Sequence, residues 1–246
     1  MSEIAIIGGT GLTSLEHLQI TKREMVRTPF GEPSGPLTFG TFHGHEVVFL
    51  ARHGYGHTIP PHKVNYRANM WALKETGVKY VIAVAAVGGI APDLVPAKLA
   101  IPDQIIDYTW SRINTFFEEG LNSVVHIDFT QPYCQKLREK LIQAARSAKL
   151  DVIESGTYGA TQGPRLETAA EINRLEKDGC TMVGMTGMPE AALARELELC
   201  YATVAVSANM AAGRAEGKIT MEDIEDCLIA GMEKVRKLIV QVIPEL

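Results

Sequence analysis

Apolar residues along this chain fall into two alternating rhythms, short continuous runs and stretches with a helical repeat. EIAIIGG at 3–9 is an apolar run closed by glycine, which predicts a buried strand ending in a tight turn. PLTFGTF at 36–42 and EVVFLA at 46–51 flank Gly44 and predict a hairpin. KVNYRANMWALKETG at 63–77 places Tyr66, Met70 and Leu73 at helical spacing and stops at Gly77. KYVIAVAAV follows at once, apolar on both faces as a doubly covered strand is. Beyond it the pattern predicts a helix over 133–148, a strand over 151–161, a helix over 168–179, a strand over 181–185, a helix from Glu190 and a strand over 200–206. A last helix begins near TMED, with Thr220 as its N-cap. This alternation predicts an α/β fold, a single domain over 1–246 with a mixed central β-sheet flanked by helices.

Composition narrows the picture. With 46% apolar residues in 246, the chain can bury a sizeable core. Its 24 basic and 29 acidic residues give a charge of −5 without single-sign runs, which argues against a nucleic-acid or membrane surface, so an anionic ligand needs a local pocket. The longest apolar stretch, 80–91, is too short to span a membrane, and no basic region precedes the first apolar run. Cys134, Cys180, Cys200 and Cys227 show no CxxC pair, so neither a disulfide framework nor a thiolate zinc site is expected. Free thiols in a cytoplasmic protein are the expectation.

Three patches carry residues that a plain core would not choose. GGTGL at 8–12 follows the first strand; its glycines and the Thr10 hydroxyl suit a phosphate cradle, and equally a simple tight turn. The dinucleotide fingerprint fits poorly, because Ser14 stands at the third glycine position. In ARHGYGHTIPPHKVNYRAN at 51–69, Arg52 offers a planar donor fork for phosphate and His53 a further donor. The alternatives are solvated loop side chains, or metal ligation by His53, His57 and His62, which the intervening glycines and prolines disfavour. The third patch joins TQGPRLETAAE at 161–171 to VGMTGMPEAALARE at 183–196. Taken singly, Glu167 could favour a helix N-terminus, Thr186 a turn and Met185 the core. Directly after the strand-like CYATVAV, SANMAAG at 207–213 sets one amide, Asn209, among small residues.

These segments, with HIDFTQPYC at 126–134, resemble the trimeric purine nucleoside phosphorylase and methylthioadenosine phosphorylase family along nearly the whole chain. The resemblance implies phosphorolysis of a purine nucleoside to free base and ribose 1-phosphate, with inorganic phosphate as co-substrate, no metal or organic cofactor, and a homotrimer. It implies a phosphate site of Thr10, Arg52, His53, Thr186 and the backbone N–H of Ala86, with Ala85 where the methylthioadenosine enzymes carry a threonine. It assigns Met185 to the ribose, Leu166 to the place of a base-stacking phenylalanine, and His126 to a neighbouring subunit's 5′ pocket.

In that family an asparagine at Asn209 goes with 6-oxopurines and an aspartate with 6-aminopurines. An amide can donate to O6 and accept from N7–H. Glu167 matches the acceptor for the base N1–H, and Ala211 replaces a second aspartate of the adenine-specific enzymes. Asn209, Glu167 and His53 are therefore the expected catalytic set. Met221 and Ile224 stand where oxopurine enzymes place a histidine against the 5′-hydroxyl, so the 5′ pocket is expected to be apolar. The combination points to S-methyl-5′-thioinosine as substrate. A general inosine and guanosine phosphorylase, a methylthioadenosine phosphorylase and an inactive nucleoside-binding regulator remain the alternatives.

Overall fold

The computed structural model describes residues 2–217 and 220–246, and for Met221 the backbone alone. Among the described residues the strands are β1 (Ile4–Gly8), β2 (Gln19–Glu24), β3 (Leu37–Phe42), β4 (His45–Ala51), β5 (Tyr80–Gly89), β6 (Leu99–Ala100), β7 (Gln104–Asp107), β8 (Val152–Ile153), β9 (Thr157–Ala160), β10 (Met182–Gly184) and β11 (Cys200–Met210). The helices are α1 (Tyr66–Glu75), α2 (Gln135–Ser147), α3 (Ala169–Lys177), α4 (Gly187–Glu196) and α5 (Met221–Val242). All eleven strands join one mixed sheet.

Side chains alternate across the sheet with the two-residue period of a strand. Ile6, Val84 and Val204 face one core with Leu137 and Leu141 of α2 and Leu228, Met232 and Val235 of α5. Ile7, Val81 and Ala83 face the other with Met70 and Leu73 of α1 and Leu193 of α4. Both faces of β5 are thus covered, which is why its sequence is apolar throughout.

The topology around β5 makes the site. β11 runs parallel along one edge of β5 from Tyr80 to Gly89. On the other edge β1 pairs only with Tyr80–Ala83, and β10 pairs antiparallel only with Gly88 and Gly89. Residues 84–87 therefore have no strand partner on that edge, and their backbone polar groups must be satisfied otherwise. The sheet opens there, at the carboxyl ends of β1 and β4.

Most predicted elements are present, with differences that have local causes. The strand expected over 151–161 divides into β8 and β9 around Gly156, whose φ is +147°. β2 was not expected, because as an edge strand its six residues QITKRE are all exposed and lack an apolar face. Thr220 caps α5 by accepting from the Asp223 N–H. The expectation of four free thiols is corrected: Cys134 and Cys200 form a disulfide, while Cys180 and Cys227 are free. Cys134 is the N-cap of α2, and its N–H donates to the Tyr201 carbonyl at 2.8 Å, so it meets the start of β11 although 66 residues separate the pair. Among the described residues no helix is long and apolar enough to cross a membrane.

Candidate active site

Arg52 follows β4 and enters the opening beside β5. It is 1% exposed, and its Nη1 donates to the Val84 carbonyl, one of the groups on the unpaired edge, at 2.9 Å. Nε and Nη2 donate to the two oxygens of Glu190 at 2.7 and 2.8 Å. Glu190, on α4, is equally buried and also accepts from the Tyr201 hydroxyl at 2.8 Å. Burial alone would lower the Arg52 pKa, but the charge and hydrogen bonds of Glu190 outweigh it, and the guanidinium is held firmly in its charged form. Three of its five N–H groups are used within the protein, leaving two for a ligand.

The turn beneath Arg52 requires glycine. A Cβ on Gly9 would lie 2.6 Å from the Val84 carbonyl oxygen and 2.9 Å from Arg52 Nη1. The GGTGL motif is therefore a close approach of backbone to an arginine, and Thr10 beside it lines the same cavity. Thr186, the N-cap of α4, also lines it, and its hydroxyl makes no capping bond. The His53 ring is tied to its own loop: its Nδ1 is 2.8 Å from the Ile59 carbonyl. Burial, then the neighbouring Arg52 charge, pushes its pKa down to about 4, so the ring is neutral at physiological pH.

The cavity has a volume of about 510 Å³. It gathers Thr10, Arg52, His53, Ala86 and Thr186, which the sequence assigned to phosphate, with Leu166, Glu167 and Asn209, which it assigned to the base. Met185 and Ile224 line it as well. Two assignments lie elsewhere: His126 is exposed on the segment between β7 and α2, away from its own chain's cavity, and the Met221 side chain lies outside the described residues.

Asn209 reaches the cavity through a register shift between Ser207 and Asn209, where β11 bulges against β5. A bulge re-aims a side chain that the strict alternation would place otherwise. Its Nδ2 donates to the Met210 carbonyl at 2.7 Å, which leaves one amide N–H and Oδ1 open to the cavity. Glu167 precedes α3, yet it does not serve that helix. Thr168 is the N-cap, and with Glu171 it completes a capping box. The Glu167 carboxylate instead accepts from the Thr161 hydroxyl at 2.6 Å.

Two residues that carry this geometry were not singled out in the sequence. Glu190 could have been sought, because a buried arginine needs a buried counter-charge. Arg112 had no such signal: its guanidinium donates to the carbonyls of Met185, Met188 and Gln162 at 2.8, 2.7 and 2.7 Å, tying the segment after β7 to two cavity loops.

The opening beside the central strand of the mixed sheet thus brings a buried arginine, an amide and a carboxylate to one cavity. The chain belongs to the phosphorylase superfamily, whose family model matches residues 3–244. It is 52% identical over 243 residues to a probable S-methyl-5′-thioinosine phosphorylase of Pseudomonas syringae pv. tomato, covering 99% of both chains. It is 49% identical over 249 residues to the 6-oxopurine nucleoside phosphorylase of Pyrococcus furiosus, covering 99% of this chain and 93% of that one. A solved methylthioadenosine phosphorylase from Schistosoma mansoni, in complex with adenine, superposes with a TM-score of 0.94 at 33% identity, covering 100% of this chain and 92% of that one.

Proposed function

We propose that this chain cleaves the N-glycosidic bond of 6-oxopurine nucleosides with inorganic phosphate, and that S-methyl-5′-thioinosine is the preferred substrate. The observation that carries the reading is the state of Asn209 and Glu167 in the cavity of Arg52. With one N–H tied to Met210, the amide keeps a donor for O6 and an acceptor for N7–H. With Oε1 held by Thr161, the carboxylate keeps an acceptor for N1–H. An adenine would instead turn its N1 lone pair towards that carboxylate and leave it poorly paired.

Phosphate, held by Arg52 with Thr10, Thr186 and the Ala86 N–H, is the nucleophile at C1′. A new C1′–O bond forms as C1′–N9 breaks, and the bonding pair leaves on the purine. Arg52 fixes the nucleophile, and the free Asn209 N–H stabilises the charge gathering on the base through its bond to O6, which strengthens as the base departs. A proton from solvent then reaches N7, and Asn209 Oδ1 accepts from the N7–H so formed. No covalent protein intermediate or organic cofactor enters this scheme. Met185 contacts the ribose, Leu166 packs on the base, and Ile224 borders the 5′ substituent.

The reading includes a homotrimer in the cytoplasm, with His126 completing the 5′ pocket of a neighbouring copy. Support for the shared site comes from the surface around His126, where Val124 is 75% and Val125 42% exposed, an apolar surface on the isolated chain. The 49% identity to a 6-oxopurine nucleoside phosphorylase favours a second reading, in which inosine and guanosine serve equally well.

Phosphate-dependent base release from inosine, adenosine and their 5′-methylthio analogues separates the two. We expect methylthioinosine to exceed inosine in kcat/KM by roughly tenfold to several thousandfold, from burial of a thiomethyl group and the unpaired hydroxyl of inosine. Equal values would establish the general oxopurine enzyme, and preference for methylthioadenosine would remove the base-site assignment.

A further inference from the structure

We propose that Arg112 is a positioning residue that fixes the base loop and the ribose loop of the cavity relative to each other, so that it acts on turnover more than on the binding of phosphate or base alone. This rests on the phosphorolysis reading and adds to it a residue that does not line the cavity. β9 and β10 run parallel and stay paired as far as Ala160 and Gly184, with one last bond from the Thr161 N–H to the Gly184 carbonyl at 2.8 Å. Beyond that point the two chains carry different halves of the site. The first continues through Thr161 and Gln162 to Leu166 and Glu167, the second through Met185 and Thr186 into α4. Among the described residues no ladder joins them there.

Arg112 takes over where the ladder stops. Its Nη2 donates to the Thr161 and Gln162 carbonyls at 3.2 and 2.7 Å, and its Nη1 to those of Met185 and Met188 at 2.8 and 2.7 Å. Nε donates to the side-chain Oε1 of Gln162 at 3.1 Å, so all five N–H groups of the guanidinium are engaged. Among the described residues no carboxylate pairs with Arg112; each bond goes to an uncharged oxygen of one loop or the other and is strengthened by the charge on the donor. A planar fork reaches acceptors on two chains at once, which the single point charge of a lysine does not. The loops also touch, since a Cβ on Gly163 would collide with the Met185 Sδ. A change in their spacing therefore moves Met185, on the ribose, relative to Glu167, on the base. Displacement at C1′ requires phosphate, sugar and departing base to be aligned, and a misplacement of about 1 Å costs on the order of a hundredfold in rate.

The test sets chemistry against binding. With enzyme in excess over methylthioinosine and phosphate saturating, the single-turnover rate of base release reports the chemical step apart from product release. Arg112→Ala is expected to lower that rate by about tenfold to a hundredfold. Calorimetric titration of the same variant with phosphate alone, and with hypoxanthine alone, is expected to give Kd values within about threefold of wild type, because each of these ligands is held without the alignment of both loops. In case Arg112→Ala does not fold, Arg112→Lys keeps the charge and much of the apolar stem and is expected to show the same split, since its ammonium does not span the two loops. A wild-type single-turnover rate in the variants, or a loss of phosphate and hypoxanthine binding in step with the rate, overturns the proposal. Absence of phosphate-dependent base release by the wild-type protein would refute the phosphorolysis reading and this role with it, whereas wild-type rates in the variants refute the role of Arg112 alone.

Discussion

Arg52 is an almost fully buried cation, and Glu190 compensates its charge. Removing one partner of such a pair leaves the other buried and uncompensated, which costs about 3–5 kcal/mol. Glu190→Gln should therefore lower stability by that order in urea denaturation, and should raise the KM for phosphate because the guanidinium is no longer held at two points. At the other side of the cavity, Asn209→Asp removes the donor to O6. Loss of that bond should reduce kcat/KM for 6-oxopurine nucleosides by about tenfold or more, with only a slight gain on 6-aminopurines while Glu167 remains. Normal rates on inosine-type substrates would remove Asn209 from base recognition. His53 adds a pH dependence whose sign follows from its depressed pKa. The unfolded chain binds a proton near pH 6.5 and the folded one only near pH 4, so His53 contributes stability above about 6.5 that is lost as pH falls towards 4. The difference in denaturation midpoint between wild type and His53→Asn should shrink over that window.

Elements place these residues through their ends. β4 ends before Arg52, α4 starts just after its N-cap Thr186, and β11 bulges before Asn209. The start of α3 divides its labour in the same way: Thr168 and Glu171 satisfy the helix terminus, which leaves Glu167 free for Thr161 and the cavity. Thr168→Ala should cost about 1 kcal/mol through loss of the cap and be read as a lower melting temperature. It should also raise the KM for nucleoside more than that for phosphate, since the fraying turn adjoins Glu167 and is remote in sequence from Arg52. An equal rise in both would mean that the change acts on the whole cavity.

At the scale of the molecule, the sheet opens where β1 and β10 fail to meet along β5, and two covered faces hold that opening rigid. The exposed valines beside His126 mark where the proposed contact between copies would form. If the 5′ pocket is shared, His126→Ala and Arg52→Ala chains should each be impaired alone and recover part of the activity when refolded together, because some mixed sites then contain both intact residues. Sedimentation should report a trimer. No recovery on mixing, with trimers formed, would place His126 outside the site.

Local pattern and resemblance were sufficient for the class of fold, the order of the main strands and helices, and most residues of the cavity. Strand and helix periods are written in neighbouring residues, and Arg52, Thr186, Glu167 and Asn209 each sit at the end of a recognisable run. The edge strand β2 escaped because it has no buried face to leave a period. What the tertiary structure alone decided are contacts between distant segments. Cys134 meets Cys200 only because α2 docks on β11. Arg52 finds Glu190 across 138 residues, and Arg112 finds carbonyls from two separate loops. The protonated nitrogen of His53 is set by where the Ile59 carbonyl lies, and the free atoms of Asn209 by the Met210 carbonyl. Residue type determines which hydrogen bonds a side chain can make; only its folded surroundings determine which of them remain for a substrate.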